Sequence, residues 1–237
     1  MNLDPQRLLQ ALVVLPLFLF SLTVHECAHG WMARRFGDHT AEQMGRLTLD
    51  PRPHIDPLGL VMFLLSSLVG FGFGWAKPVP VNLGNCRKPL TAMFWVAAAG
   101  PQSNLLQAVA AVMVLLLLGL VRAPGMEAAV TQGSHLLFGG SELPLLTMVA
   151  ALVSTYLVIN IALMMFNLIP VPPLDGGRIA VSLLPPRAAL GLARLEPMGF
   201  MIVLALVYLR VTLYLIGVPI VIVQAGLVGV LRGLGLA

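Results

Sequence analysis

The sequence is poor in charge. Asp, Glu, Lys and Arg make up 10% of its 237 residues, against about a quarter in a soluble domain; 58% of it is hydrophobic and its mean hydropathy is +0.92. That excludes an ordinary soluble domain and leaves a membrane protein with several spans. The two cysteines, Cys27 and Cys86, exclude a disulfide framework. Five histidines are too few for a membrane di-iron oxygenase. No internal repeat, low-complexity tract or appended soluble domain is visible, and without an inverted repeat a transporter loses its sequence signature. The net charge of +4 is no nucleic-acid footprint, because the Arg and Lys are spread over short loops as the positive-inside rule expects.

What is present is concentrated at His25-Glu26-Cys27-Ala28-His29. From Leu8 to Met32, Glu26 is the only acidic or basic residue in an otherwise apolar run. A carboxylate at that depth in hydrocarbon costs a few kcal/mol, roughly 3, and marks a site. On a helix, positions i and i+4 share a face, so His25 and His29 can place two imidazoles on one metal, with Glu26 in reach of a metal-bound water as general base. Cys27 points off that face and reads as packing. The run is long enough to span and lacks a small-x-small cleavage site, so it is expected to stay in the protein.

Helix one is expected over 7–35. Arg34 and Arg35 then put its C-terminal end on the cytoplasmic side and the N-terminus outside. The polar connection 36–54 holds Asp38, His39, Glu42, Asp50 and His54, each a rival third ligand on paper, with Glu42 first among them. His54, just before an apolar run, is a candidate for lining the entrance to the site. Residues 57–74 are apolar, and the Lys77-Pro78-Val79-Pro80 stretch after them alternates. We expect 57–83 to dip into the membrane and return as a short hairpin or edge strand, the alternative being an ordinary span. Such an edge could hold an extended substrate by strand addition, which makes Lys77, Pro78, Val79 and Pro80 substrate-binding candidates. A span follows over 91–121, in which Asn104 either binds another helix or faces the site. Another covers 143–169 and ends in Asn167-x-x-Pro170-x-Pro172-Pro173-Leu174-Asp175-Gly176-Gly177. From Met198 onward two shorter spans are expected, broken near Gly217-Val218-Pro219.

Asp175 reads as a polar helix cap when taken alone. Beside an incomplete two-His site it reads as the third ligand. If helix one and the span before Asp175 both run inward, one outward span must separate them, so 57–74 should not cross. Three N/O ligands with an open fourth position suit catalytic zinc. Glu26 would take the proton of the attacking water, and a nearby amide would donate to the oxyanion, Asn167 first and Asn104 second.

These residues together resemble the site-2 protease family of intramembrane zinc metalloproteases. The matching elements are His25-Glu26-x-x-His29, Gly100-Pro101-x-x-Asn104 and the Asn167 to Gly177 motif, and Gly74 to Asn82 is similar to the small bacterial branch. The resemblance implies Zn2+ on His25, His29 and Asp175, Glu26 as catalytic base, Asn167 aiding the oxyanion or substrate, and cleavage of transmembrane protein or peptide substrates. The expected location is the cell membrane, of the bacterial inner type, and the arginine distribution puts the site near the cytoplasmic face. There is no room for the PDZ or CBS domains of many members. The expected fold is an all-α polytopic membrane protein with five to six transmembrane helices, in contact with the lipid bilayer. It forms one domain over 1–237, with a catalytic core over 8–185 and C-terminal helices over 198–234. The nearest rival is a CAAX-type prenyl protease, disfavoured by the Leu174-Asp175-Gly176-Gly177 context.

Overall fold

Ten α-helices carry the fold in the computed structural model, which describes residues 5–70, 72–139 and 142–236. They are α1 (Pro5–Arg35), α2 (Thr40–Gln43), α3 (Pro57–Leu68), α4 (Pro89–Leu120), α5 (Met126–Gln132), α6 (Leu145–Asn167), α7 (Asp175–Leu183), α8 (Pro186–Ala193), α9 (Gly199–Tyr208) and α10 (Val211–Gly233). No strand occurs among the described residues. Four helices, α1, α4, α6 and α10, are long and apolar enough to cross a membrane. Residues 186–198 and 201–208 make a fifth if this pair, bent by 78°, is one broken span. The architecture is the all-α, multi-pass one expected, but the described residues hold four candidate spans, or five with the broken pair, where five to six were expected.

The helix starts follow local chemistry. Proline opens α3 and α4, where its missing N–H is not needed. Asp56 caps α3 by accepting the Gly59 N–H at 2.9 Å. Pro16, Pro101 and Pro219 lie inside α1, α4 and α10 without ending them.

The centre of the bundle is α4, packed against α1, α6 and α7. Most of its buried positions are small, among them Ala92, Ala97, Ala99, Gly100, Ser103, Ala108 and Ala111. Without a hydrophobic drive between helices in lipid, small residues let backbones approach and gain dispersion contacts. The contacts His25–Asn104 and His29–Val96 run in opposite senses along α1 and α4, so these helices are antiparallel. The bonds Asn104–Asn160 and Gln107–Tyr156 make α4 and α6 antiparallel as well. The C-terminal halves of α1 and α6 therefore meet the N-terminal half of α4 at one level, where the motif residues lie. A second core, around Leu115, Met126, Val130, Leu157 and Leu231, holds the opposite end together.

Two expectations need correction. First, no hairpin forms after α3 among the described residues; Phe71 lies outside them. With 12 residues, α3 rises about 18 Å, short of the roughly 30 Å of a bilayer core. The chain then returns extended, with one isolated bridge, Ile55 to Ala76. A ladder is denied it because Pro78 and Pro80 have no N–H. Second, the C-terminal break is not at Gly217–Pro219 but at Arg210, whose φ of +60° ends α9 and starts α10. Pro219 removes one helix bond in an apolar segment, which membrane helices absorb.

Candidate metal centre

His25 and His29 lie one turn apart on the inner face of α1 and turn their Nε2 atoms towards each other, 3.0 Å apart. Asp175 reaches them from the first residue of α7. Its Oδ2 lies 3.2 Å from His25 Nε2 and 3.3 Å from His29 Nε2. α6 stops at Asn167, prolines 170, 172 and 173 turn the chain, and α7 restarts at Asp175, whose charge suits a helix N-terminus. Gly176 and Gly177 let α7 lie directly on that turn, since a Cβ at either would overlap its backbone, that of Leu168 or Pro172.

The hydrogen bonds decide what these atoms can do. His29 Nδ1 lies 2.6 Å from the Val96 carbonyl and His25 Nδ1 lies 2.6 Å from Asn104 Oδ1. Both partners accept, so both Nδ1 atoms carry the proton and both Nε2 atoms present lone pairs. Asp175 Oδ2 is buried with no hydrogen-bond partner. Three electron-rich atoms facing one another in a buried site repel unless a cation joins them. Ligands placed tetrahedrally at about 2.0–2.1 Å from zinc lie about 3.3 Å apart, and the observed edges fit. Among the described residues this is the one cluster of three such donors.

Gly100 is the reason α4 can lie so close. A Cβ there would sit 2.5 Å from His25 Cε1 and from His29 Nε2. On the other side a cavity of about 710 Å³ opens, lined by Glu26, Val79, Asn167 and Arg178 among others. Glu26 Oε2 accepts the Val79 N–H at 2.7 Å. Asn167 donates one amide hydrogen to the Leu163 carbonyl at 2.9 Å, which leaves the other for a ligand.

The remaining candidates divide. Pro78 and Val79 line the cavity. The N–H groups between Lys77 and Pro80 are already engaged, Lys77 with the His54 carbonyl at 2.8 Å and Val79 with Glu26. Arg46 donates to the carbonyls of Lys77 and Pro78 at 2.7 and 3.2 Å. This edge thus offers an incoming strand no N–H. Asn104 is fully buried behind His25, away from the cavity. His54 is buried too, with Nε2 donating to the Thr48 carbonyl at 3.0 Å, and does not line the cavity. Among the rival acids, Glu42 pairs with His39 and Arg34, Asp50 with Arg52, and Asp38 accepts from Thr40, Asn82 and Asn85. The sequence assigns no role to Ser21 or to Asn160, whose one signal is an amide in the apolar run of α6.

The profile of Peptidase family M50 matches residues 13–209. YwhC of Bacillus subtilis, whose given name is that of a zinc metalloprotease, is 39% identical over 204 residues, covering 85% of this chain and 82% of its own. Rip2 of Mycolicibacterium smegmatis, similarly named, is 33% identical over 199 residues, which cover 82% of this chain and 66% of that protein. Rip2 of Mycobacterium tuberculosis is 34% identical over 165 residues and matched over 52% of its length. No solved structure matches.

Proposed function

This chain belongs to peptidase family M50, the site-2 proteases, and on that premise we propose that it is an intramembrane zinc endopeptidase cutting transmembrane segments of other proteins. The observation that carries the proposal is the triangle of His25, His29 and Asp175 donors beside Glu26 at one end of an apolar bundle.

His25, His29 and Asp175 would hold the ion beside the cavity that Glu26 and Asn167 also line. Bound zinc supplies Lewis-acid polarisation of a water and of the scissile carbonyl. Glu26 removes the proton of the attacking water and returns it to the leaving amine. Its bond to Val79 fixes one carboxylate oxygen and leaves the other for that proton. The second amide hydrogen of Asn167 meets the developing oxyanion. Pro78 and Val79 form the wall against which the peptide lies, with the exposed Lys77 at its edge. A helical substrate hides its carbonyls in its own hydrogen bonds, so the cut segment must unwind, and helix-breaking residues near it are favoured. The arginines ending α1 and those of 178–194 favour, by the positive-inside rule, a cytoplasmic site and an outside N-terminus.

The test is bound metal together with proteolysis of a membrane-spanning test substrate, for wild type, Glu26→Gln and Asp175→Ala. One zinc per chain, kept in Glu26→Gln while cleavage is abolished and weakened in Asp175→Ala, is expected. Full zinc binding by Asp175→Ala would remove Asp175 from the ligand set. Stoichiometric zinc in a wild type that cleaves no substrate would sink the protease reading.

A further inference from the structure

Behind His25 runs a chain of hydrogen bonds that crosses three helices. Asn104 Oδ1 on α4 faces His25 Nδ1 at 2.6 Å, and Asn104 Nδ2 donates to Asn160 Oδ1 on α6 at 2.9 Å. Asn160 Nδ2 donates to Ser21 Oγ at 3.0 Å and to the Tyr156 carbonyl at 2.9 Å. Ser21 Oγ donates to the Leu17 carbonyl at 2.9 Å, back on α1. Ser21, Asn104 and Asn160 are each fully buried.

The direction of this chain is forced from its far end. Ser21 Oγ, which also neighbours the Tyr156 hydroxyl, donates to the Leu17 carbonyl and accepts from Asn160. The Tyr156 carbonyl likewise demands an N–H from Asn160. Asn160 therefore turns its oxygen to Asn104, and Asn104 turns its NH2 to Asn160 and its oxygen to His25. His25 is left with its proton on Nδ1 and its lone pair on Nε2. If Asn104 were free to flip, its NH2 would face Nδ1, the proton would move to Nε2, and the lone pair aimed at the metal would be gone. His29 needs no such relay, because its Nδ1 meets a main-chain carbonyl directly.

We propose that Asn160 is a positioning residue which, acting through Asn104, fixes the tautomer of His25 and so keeps its Nε2 available to the metal. The competing reading is a polar tie between α4 and α6 and nothing more. The relay concerns His25 as a ligand and so rests on the zinc reading above.

Two measurements separate these readings. The first is zinc retention against a graded chelator, with purified full-length protein. Outer partners of a metal-bound His are worth about 10- to 100-fold in affinity. Asn160→Leu is expected to lose about tenfold, at the low end of that range, because it acts one residue further out. Asn104→Leu should lose at least as much, and the double variant no more than Asn104→Leu alone. Asn160→Asp, as a neutral acid, keeps one donor and one acceptor, and should stay within about threefold of wild type, a smaller loss than the roughly tenfold expected of Asn160→Leu. Unchanged affinity in Asn160→Leu, or losses that multiply in the double variant, would overturn the proposal. Should Asn160→Leu fail to fold, Asn160→Ala replaces it.

The second measurement is the imidazole 15N spectrum of His25 in zinc-free protein. Wild type should show the Nδ1–H form and Asn160→Leu a mixture. A spectrum unmoved by the substitution would refute the relay. This readout stands even if the wild type binds no zinc, an outcome that would instead sink the metal assignment.

Discussion

Glu26 on α1 is hydrogen-bonded to the main chain of Val79 across the cavity, its Oε2 accepting the Val79 N–H at 2.7 Å. The prolines on either side of Val79 have no N–H to give, so Val79 is the one donor the stretch 78–80 possesses. Val79→Pro removes that donor while keeping the extended backbone. A bond to a charged acceptor is worth about 1.5–3 kcal/mol, so kcat should fall about tenfold or more with zinc content unchanged. Equal loss of zinc would show that the substitution had disturbed α1 instead.

Gly100→Ala should damage the proposed metal centre without replacing any of its three proposed ligands. The added methyl lies 2.5 Å from both imidazoles, and neither can retreat without leaving Asn104 or Val96. Zinc affinity is expected to fall at least as far as on losing an outer-shell partner, about 10- to 100-fold. Metal analysis after dialysis against a weak chelator reads this directly, and full occupancy would contradict the packing.

Asn167→Ala tests the oxyanion role. Removing one such donor costs about 10²–10³ in kcat in other hydrolases, and a similar loss is expected here with little change in KM. A rise in KM alone would make Asn167 a substrate contact.

Acid should destabilise the protein in two steps. Burial pushes the His54 imidazole below its ordinary value, and the bond to the Thr48 carbonyl only partly opposes this. His54 is therefore neutral in the fold and charged when unfolded at low pH, so its contribution is complete above about pH 6.5 and is lost as pH falls towards the lower folded value. Burial pushes the Asp38 carboxyl up, but the bonds from Thr40, Asn85 and Asn82 outweigh it and hold it below the usual carboxylate range. Its contribution is present above about pH 3.9 and fades as pH drops through the folded value. Melting temperatures across this range should show both steps, and His54→Gln should remove the first alone. Asp38→Ala should cost about 3 kcal/mol at neutral pH, since four bonds to a buried charge are lost.

The parts of the site that the sequence disclosed are those where chemistry and local geometry coincide. His25, Glu26 and His29 were legible because helical periodicity alone puts two imidazoles on one face. Asp175 was legible because prolines and glycines interrupt an apolar run around it. Asn104 was ambiguous, since an amide in an apolar helix looks the same whether it meets substrate or a neighbour; only the packing of α4 on α1 puts it behind His25. His54 looked like an entrance residue because it stands just before an apolar run, but the fold buries it against Thr48. Ser21 carried no signal at all, as its partner lies 139 residues away. The spans were legible from apolar length, and the break at Arg210 was not, because a left-handed arginine leaves no compositional mark.

The absence of a side chain at residue 100 has a consequence for inhibition. α4 closes one side of the metal position with bare main chain, so a chelating compound has a single face to approach, the one shared by Glu26 and Asn167. Its zinc-binding group enters from that face, while its bulk fills the roughly 710 Å³ of the cavity. Selectivity over soluble zinc peptidases with the same His-Glu-x-x-His turn would then come from the apolar shape of that space, not from the chelating group.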